Sequence, residues 1–236
     1  MVTVCVASYN GEKYIEEQIK SILQNLSDDD EVIISDDGSK DETRKILEDI
    51  SANDGRIKII DGPQKGLIKN FENAMRHANG DVIFLSDQDD IWTADKVEKV
   101  LKCFEDEECM LVLHNASVID ENENIILESF FEHRGSRAGV IKNIIKNSYI
   151  GCCMAIRKEL LQYILPLPEK KCGLHDQWIG VIAELRGNVV FLEDKLLYYR
   201  RHGDNMSGMT HLPIDQMVAN RFGFIVNLLK RWLSWK

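Results

Sequence analysis

Three carboxylates fall within four residues at Asp87-Gln88-Asp89-Asp90, directly after the apolar run Val82 to Leu85. At about 5 Å and an effective dielectric of about 20, each pair of such charges repels by roughly 3 kcal/mol. A hard divalent cation, Mg²⁺ or Mn²⁺, relieves that repulsion and takes carboxylate, water and phosphate oxygens together. A solvated turn leading into a helix near Ala94 fits the same residues, and spacing alone does not choose. A second acidic pair, Asp36-Asp37-Gly38-Ser39, ends another short apolar run. It reads either as a strand-to-helix turn with an N-cap or as a carboxylate that accepts from a pyrimidine N3–H. Tyr9 offers a stacking face to such a base, or a partly buried ring. Asp176 opens a helical pattern in His175-Asp176-Gln177-Trp178. There an aspartate serves equally as an N-cap or as a general base for a hydroxyl.

The elements that must hold these groups follow from periodicity. Apolar, β-branched runs at Val2–Ala7, Glu31–Ser35, Ile57–Ile60 and Val82–Leu85 read as strands. Helical spacing covers Tyr14–Leu26, Lys40–Ile50 and Leu67–His77, so strand and helix alternate from the start. That alternation predicts a parallel sheet flanked by helices, and in such sheets ligands bind at the carboxyl ends of the strands. The polar stretches Ser8-Tyr9-Asn10, Asp36-Asp37, Gly62-Pro63 and Asp87–Asp90 all follow strands, and gather at one edge.

Beyond Trp92 the pattern loosens. Helices are expected at Ala94–Phe104, Val140–Asn147, Lys158–Leu165 and His175–Arg186. Strands are expected at Met110–His114, Ile150–Ile156, Asn188–Leu192 and Leu196–Tyr199. Asp120–Asn124 reads as the turn of a hairpin ending near Leu127, Ser129–Gly139 as a mobile loop, and Pro166–Gly173 as a loop. His114 is expected in the core or a pocket, and His77, His133 and His211 at the surface. Trp92 and Trp178 either pack helix starts or wall a pocket.

Composition excludes several classes. The 236 residues are 44% hydrophobic and 29% charged, ordinary for a globular α/β protein. A formal net charge of −10 argues against a general nucleic-acid binder. Cys5, Cys103, Cys109, Cys152, Cys153 and Cys172 contain no CxxC pair, so buried reduced thiols and a cytoplasmic setting are expected. No secretory signal opens the chain, and no apolar run reaches the roughly 18 residues needed to span a bilayer.

Taken in order, Ala7-Ser8-Tyr9-Asn10-Gly11, Ser35-Asp36-Asp37-Gly38-Ser39 and Ser86-Asp87-Gln88-Asp89-Asp90-Ile91-Trp92 resemble the motifs of inverting GT-A glycosyltransferases of family 2. His175-Asp176-Gln177-Trp178 and Tyr199-Arg200-Arg201-His202-Gly203-Asp204-Asn205-Met206-Ser207 are most similar to bacterial rhamnosyltransferase-type members. The resemblance implies a mostly parallel sheet of GT-A type in one catalytic domain over 1–210. Residues 1–92 would form its nucleotide-binding half and 93–210 its acceptor side, followed by an amphipathic helical tail over 211–236.

It further implies that Tyr9, Asp36 and Asp37 meet the donor base, and that Asp87 and Asp89 hold Mg²⁺ or Mn²⁺ with Asp90 assisting. Arg201 and His202 would close over the diphosphate, although a surface loop after a strand fits them too, and Asp176 would be the catalytic base. The family often has Glu-Asp where this chain has His175-Asp176, which leaves the role of position 175 open. The implied activity is metal-dependent, inverting transfer of a sugar from dTDP-rhamnose or a UDP-hexose to a saccharide or polyprenyl-linked acceptor in cell-surface polysaccharide synthesis. Two rivals are a nucleotidyltransferase, which lacks its Gly-rich basic loop here, and a catalytically inactive carbohydrate-binding module.

The tail stands apart. Phe222, Ile225, Val226, Leu229, Trp232 and Leu233 keep helical spacing beside Arg221, Lys230, Arg231 and Lys236. Such a helix over 220–236 fits a membrane interface, a dock on the domain or a homodimer contact.

Overall fold

The computed structural model describes residues 1–168, 175–203 and 214–235. Its first half alternates as the periodicity predicts: β1 (Val2–Ser8), α1 (Ile15–Leu23), β2 (Glu31–Asp36), α2 (Thr43–Ser51), β3 (Ile57–Asp61), α3 (Leu67–Arg76) and β4 (Val82–Ser86). The four strands run parallel in the order β3-β2-β1-β4. All of β1 and β4 is buried, as expected of strands covered on both faces. Register then fixes the site. Ser8 lies opposite Asp36, and Val6 opposite Ser86, so the polar loops leave the sheet at one level.

The second half comprises β5 (Ile91–Trp92), α4 (Lys96–Cys103), β6 (Cys109–Ile119), β7 (Ile125–Leu127), α5 (Phe130–Arg134), α6 (Val140–Ile145), β8 (Met154–Arg157), α7 (Leu161–Ile164), α8 (His175–Arg186), β9 (Asn188–Arg200) and α9 (Ile214–Ser234). The sheet continues β4-β8-β6-β9-β5, with β7 paired to β6. β8 is antiparallel to both its neighbours, so the parallel half is extended by a mixed one.

Three expectations change here. Ser129–Gly139 is not a loop throughout, because it contains α5. Ser129 caps that helix through Glu132 N at 3.2 Å, Phe131 is buried, and Gly135 ends it in the left-handed region. Ile150–Ile156 is not all strand, since Gly151–Cys153 form a 3₁₀ turn before β8. The two short strands expected at 188–199 are one, β9, whose pairing with β6 slips where Leu192 meets His114 and Lys195 meets Asn115. The polar pair Glu193-Asp194 occupies that slip, and it is what broke the apolar pattern.

α9 docks through one side only. Phe224 is buried edge-on against Trp178, and Arg231 donates to the carbonyls of Tyr163, Leu165 and Pro166. The other side leaves Val218, Phe222, Leu229 and Leu233 exposed. Among the described residues, no helix is long and apolar enough to cross a membrane.

Candidate active site

The loop after β1 is built into the loops beside it. Gln88 Oε1 accepts from Tyr9 N at 2.8 Å, and Gln88 Nε2 donates to Tyr9 O at 3.0 Å. Asn10, at φ +49°, donates its N–H to Ser39 Oγ and accepts from Lys40 N through its side chain. Gly11 N donates to Thr43 Oγ1 at 2.7 Å. The Tyr9 backbone is thereby fixed while its ring stays 54% exposed, free to stack on a flat ligand.

Asp36 and Asp37 are both buried, with different duties. Asp36 accepts from the hydroxyl and N–H of Ser39. Asp37 accepts from Gln64 N at 2.6 Å and Gly66 N at 2.8 Å, which secures the loop after β3. Gly62 is required there: a Cβ would lie 2.6 Å from Asp37 Cα and 2.8 Å from Asp36 O.

The three carboxylates after β4 diverge. Asp89 meets His202 Nε2 at 2.7 Å, so His202 reaches the acidic loop although 113 residues separate them. Asp90 accepts from Arg200 N at 3.0 Å. Asp87, Asp90 and Cys152 bring one ligand atom each within 4.8 Å of one another. Burial, followed by the charge of Asp89, pushes the Asp87 carboxyl up to about 7. Burial and the Asp89 and Asp87 charges raise Asp90 well above the usual carboxylate range. Such mutually repelling oxygens suit a hard cation, and two of the three grouped donors are of that kind. The Cys152 thiol is a softer donor.

Two buried cations underlie this cluster, and no motif singles them out. Lys96 is fully buried, donates to Cys152 O at 3.1 Å and lies 3.7 Å from the Trp92 ring centroid. Burial depresses its ammonium to about 8, against the opposing pull of the thiols, Asp90 and Asp87. Arg200 donates to Asp89 O at 3.0 Å and to Glu17 at 2.7 Å, which pins the end of β9 under the loop. Arg201 places its backbone N on Ile119 O and its guanidinium on Tyr199 OH.

Asp176 stands on the first turn of α8, 6% exposed, and Gln177 N donates to it at 2.6 Å. Burial lifts its carboxyl to about 6, opposed by Gln177 N, a hydrogen bond from Asn147 and the charge of Arg134. Its charge acts on Asp87 in turn, so the base and acid-cluster candidates share one region. His175 is buried, stacked on Phe71 at 4.4 Å and depressed to about 4 by burial. Its Nε2 would lie 2.6 Å from a Cβ at Gly151, so that glycine allows the close approach.

Trp92 and Trp178 are both buried: Trp92 packs against Phe84, and Trp178 donates Nε1 to Ile164 O at 2.9 Å and lines a cavity beside α9 with Arg231. His114 is a core residue on Asn115 O, and His77 and His133 are exposed. Cys172, His211 and positions 204–207 lie outside the described residues. The five described cysteines are free thiols, four of them buried.

The sequence pattern of Glycosyl transferase family 2 matches residues 3–165. The chain is similar to a glycosyltransferase of Nostoc sp., at 26% identity over 211 residues, 86% of this chain and 66% of that protein's length. It is 30% identical over 222 residues to the dTDP-rhamnosyl transferase RfbG of Shigella flexneri, covering 86% of this chain and 73% of the relative. It is also 30% identical to the UDP-Glc:alpha-D-GlcNAc-diphosphoundecaprenol beta-1,3-glucosyltransferase WfgD of Escherichia coli, over 78% of this chain and 70% of that one.

Among solved structures, S. aureus TarS 1-349 in complex with UDP-GlcNAc superposes with a TM-score of 0.72 at 22% identity, covering 100% of this chain and 73% of that one. The mannosyltransferase PcManGT of Pyrobaculum calidifontis, in complex with GDP-Man and Mn²⁺, gives 0.64 at 21%, covering 84% and 56%. The fold is the GT-A fold of nucleotide-sugar transferases.

Proposed function

The chain belongs to glycosyltransferase family 2, and from that premise we propose that it moves a sugar from a nucleoside diphosphate to an acceptor hydroxyl, with inversion and with Mg²⁺ or Mn²⁺ bound. The observation that carries this reading is the grouping of Asp87 and Asp90 where β4 leaves the parallel sheet, with Asp176 near enough for its charge to act on Asp87. Tyr9 stacks on the base. Asp36 and Asp37 frame it, and each Asp37 oxygen keeps a lone pair beyond its backbone bond. Asp87 and Asp89 hold the cation, with Asp90 assisting; when bound, it would supply positive charge to the leaving diphosphate. His202 orients Asp89, and Arg201 borders the diphosphate side.

Asp176 takes the proton of the attacking hydroxyl. A carboxylate near 6 is a stronger base than an exposed aspartate, and it is still ionised at neutral pH. A single displacement from the face opposite the diphosphate inverts the anomeric centre.

The likeness to RfbG supports dTDP-rhamnose as donor, and that to WfgD a UDP-hexose and a polyprenyl-linked acceptor. The setting is cell-surface polysaccharide synthesis on the cytoplasmic side, with the exposed apolar side of α9 against the membrane surface. Arg221 and Lys230 on that helix support the membrane contact.

A panel of dTDP- and UDP-sugars with Mn²⁺ tests the donor by thermal stabilisation, which reaches about 2.7 kcal/mol at a hundredfold excess over Kd. Proton NMR of the transferred anomeric centre tests inversion. A retained configuration, or no stabilisation by any nucleotide sugar, contradicts the proposal.

A further inference from the structure

Asp176 borders a surface unlike the rest of this acidic chain. Residues 133–147 carry Arg134, Arg137, Lys142 and Lys146 with no aspartate or glutamate, and 216–235, again with no acid, add Arg221 and Lys230 besides the docked Arg231. Ile141 and Ile145 of α6 are 76% and 56% exposed there, and Phe222 of α9 is 69% exposed. Arg221 donates twice to Ile145 O, so α6 and α9 present one basic and apolar face.

Arg134 stands where that face reaches the site. It is the last residue of α5, and the loop behind it is tied down at several points. Gly135 N donates to Phe131 O at 2.8 Å and Ser136 Oγ to Ser148 O at 3.1 Å. Lys142 Nζ donates to Gly135 O at 2.7 Å and to Ser148 Oγ at 2.6 Å. Arg134 Nε donates to the carbonyl of Asn147 at 3.2 Å, and Gln177, the neighbour of Asp176, donates to the carbonyls of Asn143 and Ile144 in the same segment. Arg134 is exposed, and its two amino groups find no hydrogen-bond or ion-pair partner among the described residues. A held, unpaired guanidinium beside a candidate base needs an explanation in a chain of net charge −10.

We infer that Arg134 binds a phosphate or diphosphate that joins the acceptor sugar to a lipid chain. The inference rests on the transfer reading above, and assigns a phosphate-binding residue to the lipid-linked acceptor named there. A planar guanidinium matches phosphate oxygens in pairs, which an ammonium does not. The order along the surface then follows the order of such a molecule. Its sugar hydroxyl meets Asp176, its phosphate meets Arg134, and its chain leaves over Ile141, Ile145 and Phe222.

Binding of decyl diphosphate to the full chain, in EDTA so that no metal bridges it to the acidic loop, tests this. The wild type is expected to bind it saturably, and far more tightly than the neutral decyl glucoside. Arg134→Gln weakens decyl diphosphate at least about tenfold, and Arg134→Lys regains part of the loss. Equal titration by Arg134→Gln and wild type overturns the inference. So does a wild type that does not distinguish the two decyl compounds. Loss of binding to phosphatidylglycerol vesicles in equal measure would assign Arg134 to lipid headgroups, and overturn it as well. Nucleotide-sugar stabilisation with Mn²⁺, measured on the same samples, keeps the two ideas apart. Its absence in the wild type refutes the transfer reading, whereas its presence without an Arg134 effect refutes the acceptor contact alone. The same measurement on Arg134→Gln and Arg134→Lys verifies that both are folded.

Discussion

Gln88 grips the peptide of Tyr9 from both sides, accepting from its N–H at 2.8 Å and donating to its carbonyl at 3.0 Å. The residue between two acidic positions therefore ties the stacking ring to the acidic loop. Gln88→Ala removes two bonds worth about 1 kcal/mol each. Donor KM is expected to rise about tenfold with kcat little changed. Gly11→Ala should mimic it, because its Cβ would lie 2.5 Å from Gln88 Oε1. Steady-state kinetics on both variants and their combination should show less than additive losses. Full additivity would separate Gly11 from the clamp.

His202 reaches Asp89 at 2.7 Å from the far end of β9. Partners that orient a metal-binding carboxylate typically change affinity ten- to a hundredfold. His202→Ala is expected to weaken Mn²⁺ by about that much, as read by metal titration of donor binding. Unaltered affinity would reduce the pair to a loop contact.

Burial raises Asp176 from the model-peptide value of 3.8 to about 6, so the folded chain holds a proton that the unfolded chain has already lost. That group contributes a falling stability as pH rises through this window, by up to about 3 kcal/mol. Asp176→Asn should remove the dependence and melt higher than wild type at pH 8. Metal-free thermal denaturation between pH 4 and 8 checks the sign. A stability that rises with pH on account of this residue would be the wrong one.

The two sides of α9 separate by mutation. Phe224→Ala empties a buried site against Trp178 and is expected to cost about 3 kcal/mol. Phe222→Ala, on an exposed position, should alter stability by less than about 0.5 kcal/mol yet weaken sedimentation with anionic vesicles. Chemical denaturation and vesicle binding read the two effects independently.

Local patterns carried the parallel half of the fold. Period-two and period-3.6 signals placed β1 to β4 and α1 to α3 within a few residues, because each segment there has one covering partner type and short connections. Around β6 and β9 the pattern misled. Glu193 and Asp194 look like a strand end, but β9 absorbs them at a register slip against β6. α5 was legible in principle, since Ser129 and Glu132 form a capping pair and Gly135 a stop. The absence of a long apolar stripe hid it. For the candidate site, Tyr9, Asp36, Asp37 and Asp87 could be proposed because their motifs are contiguous. Lys96 and Cys152 could not, because a buried lysine under an acidic loop is a product of tertiary packing between α4 and the 3₁₀ turn before β8.

Calorimetric donor binding, paired with a transfer assay on Asp176→Asn, bears most directly on the proposed chemistry. With Mn²⁺ and the donor found in the panel, the variant should bind that donor within about twofold of wild type. Transfer should fall by about a thousandfold. Transfer within tenfold of wild type would remove Asp176 as the base, and loss of donor binding in step with transfer would make it a binding residue instead.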